Sequence, residues 1–259
     1  MRKNVFRSQG ITALSLALIL GLSSCSPKQK YQISNIEGNA ITIDSIWDKQ
    51  PNQEAVDILA PYKAGVDSVM NQVVGYSKET LNKYRPESPL SNLIADVLRE
   101  AATDVIGHPA DLALMNIGGI RNILPAGNIT TGTVFEILPF ENSLCVLQIK
   151  GKFVKELMKN IATVQGEGVS NIELVITKEG DVISAKVGDK EIDDEKIYSL
   201  ATIDYLADGN DGMTALMQQE SRECPAGATL RGLFMEYVKK QTAQGKEVYA
   251  KIEGRIQVK

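Results

Sequence analysis

The spacing of apolar residues along the chain changes period several times, and the changes outline its elements. From Gln53 the apolar positions Val56, Leu59, Tyr62, Val66, Val69 and Val73 recur every three or four residues, which predicts a helix with one apolar face. Gly75 and a polar connection from Ser77 to Glu87 follow. Ser88-Pro89 then predicts a helix start. Serine is a favoured N-cap, and proline suits the first helical position because its missing N–H would have no partner there. Leu90, Leu93, Ile94, Val97, Leu98 and Val105 mark the buried face of that helix. Asp111–Asn116 is a short apolar run ending at Gly118-Gly119, the pattern of a buried strand entering a tight loop. A short helix is expected around Thr133–Ile137, where Thr133 and Glu136 have capping-box spacing. Leu144–Lys150 reads as a strand and Lys152–Val164 as a helix. Asn171–Thr177 and Asp181–Val187 flank Glu179-Gly180 as a hairpin, and Gly188-Asp189 turns the chain again. Tyr198–Ile203 reads as a strand, Ala228–Gln241 as a helix and Gly254–Val258 as a last strand.

Helices interleaved with short strands, several joined by hairpin-length turns, predict an α+β fold: a mixed β-sheet with flanking helices in one domain over residues 51–259. Residues 25–50 read as a polar tether running into a first strand, with alternation at Ile41, Ile43 and Ile46.

The amino terminus has a different character. Arg2, Lys3 and Arg7 precede Ile11–Leu22, which carries no charge. As a helix that run would span about 18 Å, too short for a hydrocarbon core of about 30 Å, so residues 1–24 read as a secretory signal peptide. The run ends in Leu22-Ser23-Ser24-Cys25, which resembles the bacterial lipobox and implies acylation of Cys25. The expected location is the bacterial cell envelope, facing the periplasm, with membrane contact through the lipid anchor only. Removing residues 1–24 takes away three basic side chains and no acidic one, so the net charge moves from −4 to −7. So acidic a chain lacks the basic footprint that displaces counterions from nucleic acid, and a nucleic-acid partner is excluded.

Cys145 and Cys224 are left. Export permits a disulfide between them, and the apolar run Leu144–Ile149 equally suits Cys145 as a small buried hydrophobe. His108 is the only histidine; before Pro109 it reads as a surface loop residue, and a histidine-rich metal site is excluded.

Three loops combine glycine freedom with polar or aromatic side chains directly after strand-like runs. They are Asn116-Ile117-Gly118-Gly119-Ile120-Arg121, Leu138-Pro139-Phe140-Glu141-Asn142, and Asp204-Tyr205-Leu206-Ala207-Asp208-Gly209-Asn210-Asp211-Gly212. Paired glycines let backbone approach a ligand, and an arginine meets a phosphate or carboxylate through two parallel hydrogen bonds. Taken with Ser88–Asp96 and Gly127-Asn128-Ile129-Thr130, these blocks resemble in order and spacing the C-terminal domain of bacterial and animal 5'-nucleotidases, over most of residues 55–256.

That resemblance implies a domain that binds the nucleoside part of a nucleotide, while a separate metallophosphatase domain holds two metal ions and cleaves the phosphate. By position, Phe140 and Tyr205 resemble the two aromatics that sandwich the base. Asn116 matches the asparagine that hydrogen-bonds it, Arg121 the arginine facing the phosphate, Asp211 the acceptor of the ribose hydroxyls, and Gly119 the point of close backbone approach. Arg85 falls near a further family arginine. Ile117 and Asn210 stand where the family usually has glycines, and Tyr205 replaces the commoner phenylalanine. The histidines of a dimetal site are absent, so no cofactor is expected in this chain and a divalent metal pair is expected in a partner. Two functions follow as expectations: the nucleotide-recognition half of a split exported 5'-nucleotidase, with a separate metallophosphatase chain, or a non-enzymatic nucleotide- or nucleoside-binding envelope lipoprotein.

Overall fold

The computed structural model describes residues 33–259; the expected signal peptide and Cys25 lie outside them. Residues 33–43 are exposed and form neither helix nor strand, so the expected first strand at Ile41 and Ile43 is absent. So short an alternation has no partner ladder to hold it.

Helix α1 (Gln53–Met70) forms where the spacing places it, but it buries nothing. Tyr62 is 72% exposed and Leu59 60%. An apolar stripe identifies the face a helix would bury without supplying the surface that covers it. Val73, expected on the same face, instead opens β1 (Val73–Ser77). Helix α2 (Pro89–Ala101) has the predicted cap: the Ser88 hydroxyl accepts the Ser91 N–H, and the Ser91 hydroxyl accepts the Ser88 N–H in return. Val105 belongs to a separate turn, α3 (Thr103–Ile106). Then come β2 (Leu112–Met115), β3 (Gly127–Thr130) and α4 (Thr131–Ile137). The α4 capping box pairs Thr130 with Thr133, three residues ahead of the expected Thr133–Glu136 pair, because the preceding strand hands the chain over at Thr130.

The remaining elements are β4 (Leu144–Lys150), α5 (Gly151–Thr163), β5 (Gly168–Ser170), β6 (Ile172–Ile176), β7 (Val182–Val187), β8 (Lys190–Glu191), β9 (Ile197–Ile203), α6 (Asp204–Ala207), β10 (Ser221–Glu223), α7 (Leu230–Ala243) and β11 (Ile256–Val258). They form a five-stranded sheet of order β10-β4-β9-β2-β5, a four-stranded sheet of order β11-β6-β7-β8, and the β1–β3 pair. The larger sheet is mixed, since β2 runs parallel to β9 and the other pairings are antiparallel. The architecture is thus the expected α+β one. Successive residues of β2 and β9 are buried, so both faces of the sheet are covered, and α2 packs on β2, β5 and β9 through Leu90, Ile94 and Leu98.

Cys145, fully buried in β4, is bonded to Cys224 just beyond β10, so it is both core and cross-link. Residues 79 apart are joined, and the bridge removes much of the freedom of the unfolded chain. Replacing both cysteines by alanine is expected to lower the free energy of unfolding by about 2–4 kcal/mol, read from guanidinium denaturation.

Candidate functional site

Strand direction decides where the three loops meet. Ala113 of β2 pairs in parallel with Ala201 of β9, and Leu144 of β4 pairs antiparallel with Ile203. The exits of β2 and β9 and the entry of β4 therefore lie at one end of the sheet. There Asn116, Gly118, Gly119, Arg121, Phe140, Asn142, Tyr205 and Asp211 line a cleft of about 350 Å³. All six residues named from sequence as binding residues are in it. Asn142 belongs to the motif but was not singled out as a site residue.

Each wall has a local cause. After β2 the chain makes one tight turn, Ile117–Gly119, which brings Asn116 and Arg121 to the same rim. Gly119 is required by contact: a Cβ there would lie 2.6 Å from Met115 Cε and 2.7 Å from Asn116 Oδ1. Phe140 follows Pro139 in a turn held from α7, where Arg231 donates to the carbonyls of Leu138 and Pro139 and pairs with Glu141. After β9 the chain enters α6 and then takes Asp211 into the left-handed region, at φ +53°. Aspartate is one of the few side chains that occupy that region with modest strain.

The polar groups are wired together. Asn116 is buried; its Nδ2 donates to Asp211 Oδ2 at 2.6 Å, while its Oδ1 has no partner. The Tyr205 hydroxyl donates to Asp211 Oδ1 at 2.8 Å. That bond is the main reason the phenol titrates above its ordinary range, and it keeps Tyr205 a donor at neutral pH. Asn142 and the Tyr205 N–H both donate to Asp204 Oδ1. The Arg121 guanidinium lies 5.8 Å from the centre of the Phe140 ring, and its Nη1 donates to Gly118 O. Phe140 and Tyr205 are 49% and 40% exposed. Two half-exposed rings beside a carboxylate suit a flat ligand bearing hydroxyl donors.

Arg85 does not line the cleft. Its Nε donates to Gly166 O at 2.7 Å and its Nη2 pairs with buried Glu167. Glu167 in turn accepts the Ile117 N–H, and Lys83 caps Ile120 O. These supports were not visible in the sequence, since nothing in their spacing relates them to residues 116–121. Among the described residues no three His, Cys, Asp or Glu side chains cluster as metal ligands would, and His108 is exposed. A metal pair does not fit the donors present. No helix among the described residues is long and apolar enough to cross a membrane.

The family model described as 5'-nucleotidase, C-terminal domain, matches residues 70–218. The trifunctional nucleotide phosphoesterase YfkN of Bacillus subtilis is 33% identical over 227 residues, 80% of this chain and 15% of that protein. Protein UshA of Yersinia enterocolitica is 29% identical over 192 residues, 71% of this chain and 34% of that protein. The crystal structure of a 5'-nucleotidase precursor from Thermus thermophilus superposes with a TM-score of 0.68 at 32% identity, over 80% of this chain and 43% of its own. This chain spans less than half the length of each of these relatives.

Gly119→Ala is expected to push the Asn116 side chain off Asp211 and to lower stability by about 1–3 kcal/mol, the usual result of inserting a methyl into a filled space. Thermal denaturation measures the loss, and a crystal structure of the variant shows whether the Asn116–Asp211 bond has opened.

Proposed function

The chain belongs to the 5'-nucleotidase C-terminal domain family, and on that premise we propose that it is the nucleotide-recognition half of an exported 5'-nucleotidase whose catalytic metallophosphatase is a separate chain. The observation that carries this reading is the convergence of Phe140, Tyr205, Asp211, Asn116 and Arg121 on one cleft. A base lies between the rings of Phe140 and Tyr205, a contact that tolerates any base because each offers a π-face. Asp211 accepts the ribose hydroxyls, for which a carboxylate with acceptor capacity to spare is suited. Asn116, bonded to Asp211 and lining the same cleft, is the residue that hydrogen-bonds the base edge. Arg121, at the rim, faces the phosphate. The divalent metal pair sits in the partner, in keeping with the described residues, which gather no cluster of metal ligands. Acylated Cys25 holds the chain in the envelope of a bacterium, on the periplasmic side, and brings the two halves to one surface.

Replacing Phe140 or Tyr205 by alanine is expected to weaken nucleoside binding by about 1–3 kcal/mol each, for ribo- and deoxyribonucleosides alike. Asp211→Ala is expected to lose about 1.5–3 kcal/mol for ribonucleosides only, the scale of a hydrogen bond to a charged group. Calorimetry with paired ribo and deoxy ligands separates the two, and unchanged binding in the Phe140→Ala, Tyr205→Ala double variant would end the sandwich. The pure chain with added divalent metal is expected to release no phosphate from a nucleotide. Metal-dependent release by this chain alone would refute the division of labour.

A further inference from the structure

Among the described residues two glutamates are buried, Glu87 and Glu167. Glu87 accepts from Asn92 Nδ2 and the Glu253 N–H and ties α2 to the carboxyl-terminal segment, far along the chain from the cleft loops. Glu167 is placed otherwise. One carboxylate oxygen accepts the N–H of Ile117, the residue next to Asn116; the other pairs with Arg85.

Resting on the nucleotide-recognition reading, we propose that Glu167 is a positioning residue for the cleft: its carboxylate, held by Arg85, fixes the turn that presents Asn116 and Arg121, and ligand affinity follows its ionisation. The backbone at Ile117 cannot shift without carrying Asn116, and the Asn116 Nδ2 bond to Asp211 moves with it. Glu167 itself has little freedom to follow. Its neighbour Gly166 sits at φ +110° against Pro86, where a Cβ would come within 2.3 Å of Pro86 O, and Arg85 Nε pins Gly166 O at 2.7 Å.

Three groups face this carboxylate: the Arg85 guanidinium from the segment before α2, the Ile117 N–H from the turn after β2, and the Asp211 carboxylate from the loop after α6. Burial pushes the Glu167 carboxyl up, and Asp211 adds to that. The bonds from Ile117 and Arg85 pull it down without cancelling the rise, so it titrates above the ordinary carboxylate range. Two consequences have opposite signs. Because the folded state holds this proton more tightly than the unfolded chain, stability contributed by Glu167 falls as pH rises from the ordinary carboxylate value through the folded one. Over the same interval the carboxylate forms, its bonds to Ile117 and Arg85 become charge-assisted, and the cleft is set. A residue that only supported the fold would move stability and affinity together.

The test uses the full chain, wild type and Glu167→Gln, which keeps the side-chain size and an acceptor oxygen. Adenosine binding is followed by calorimetry across the acidic to neutral range. Protection of the Ile117 amide in the unliganded protein is followed by NMR hydrogen exchange, and thermal denaturation is run at each pH. Wild-type affinity is expected to rise about tenfold through the Glu167 titration while the stability of wild type relative to Glu167→Gln falls, tenfold being the weight of one charge-assisted bond near 1.4 kcal/mol. Glu167→Gln is expected to bind about tenfold more weakly at neutral pH, to lose that part of the pH dependence, and to show a less protected Ile117 amide. Wild type and variant sharing one pH profile, with Ile117 equally protected in both, would overturn the proposal. So would a wild-type affinity that falls over the interval in which the carboxylate forms. Should adenosine fail to bind the wild type at any pH, the recognition reading falls, while the Ile117 protection still decides whether Glu167 holds the turn.

Discussion

The cleft exists because β9 is flanked by a parallel neighbour on one side and an antiparallel one on the other. Seven consecutive pairs, from Leu144 with Ile203 to Lys150 with Ile197, lock β4 to β9. Parallel pairing of Leu112 with Leu200 and Ala113 with Ala201 fixes β2 against the other edge. Had β2 run antiparallel, its glycine turn would emerge at the other end of this four-residue strand, some 10 Å away at about 3.3 Å per residue. A one-residue slip would be as damaging, because it would turn every side chain of a strand to the opposite face. The cross-link from Cys145 to Cys224 sits one residue into β4, at the end where the cleft lies, so the constraint is strongest where the geometry matters.

On that frame the site keeps features that are locally unfavourable. Asp211 occupies the left-handed region, Asn116 buries an unpaired carbonyl oxygen, and Glu167 buries a carboxylate that burial alone would neutralise. Each costs on the order of 1–3 kcal/mol. A fold with both faces of its main sheet covered tolerates them, and their placement around one cleft is what the proposed function needs. The two occupied oxygens of Asp211 hold it in place before a ligand arrives. Tyr205 adds to this: a phenylalanine would stack equally well but would leave Asp211 Oδ1 without its donor.

Much of the frame is legible in the chain itself. Ser88-Pro89 announces α2 because cap and first-turn chemistry are local, and the Glu179-Gly180 hairpin is visible because its turn needs a left-handed residue between two apolar runs. The six cleft positions are legible because they fall in loops rich in glycine, proline and polar residues whose order and spacing resemble those of the family. Other features are not. The strands β1, β5 and β10 have five residues or fewer and show no alternation; long-range pairing makes them. Glu167, Lys83 and Arg231 are ordinary charged residues in sequence, and only the folded chain puts them under the Ile117 and Phe140 turns. The stripe on α1 is read correctly as helical and wrongly as buried, since periodicity carries no information about what lies opposite. The alternation at Ile41 and Ile43 fails for the same reason: a strand needs a neighbour as well as a pattern.

Exposure of the two aromatics bears on how the proposed recognition half would work. A ring that is half in water in the free protein gains stacking energy when a base covers it, but the far edge of that base stays wet unless something closes over it. Association also carries a cost of at least about 4 kcal/mol in lost translational and rotational freedom. Two stacks at about 1–3 kcal/mol each and one charged hydrogen bond at about 1.5–3 kcal/mol exceed that cost by only a few kcal/mol, which corresponds to weak, rapidly reversible capture. Tight binding then requires a second wall, and in the proposed arrangement the metallophosphatase supplies it at the moment it receives the phosphate. Weak capture alone and firm capture in the assembled pair would suit a divided enzyme, because a recognition half that held its nucleotide tightly by itself would compete with its own partner for the substrate.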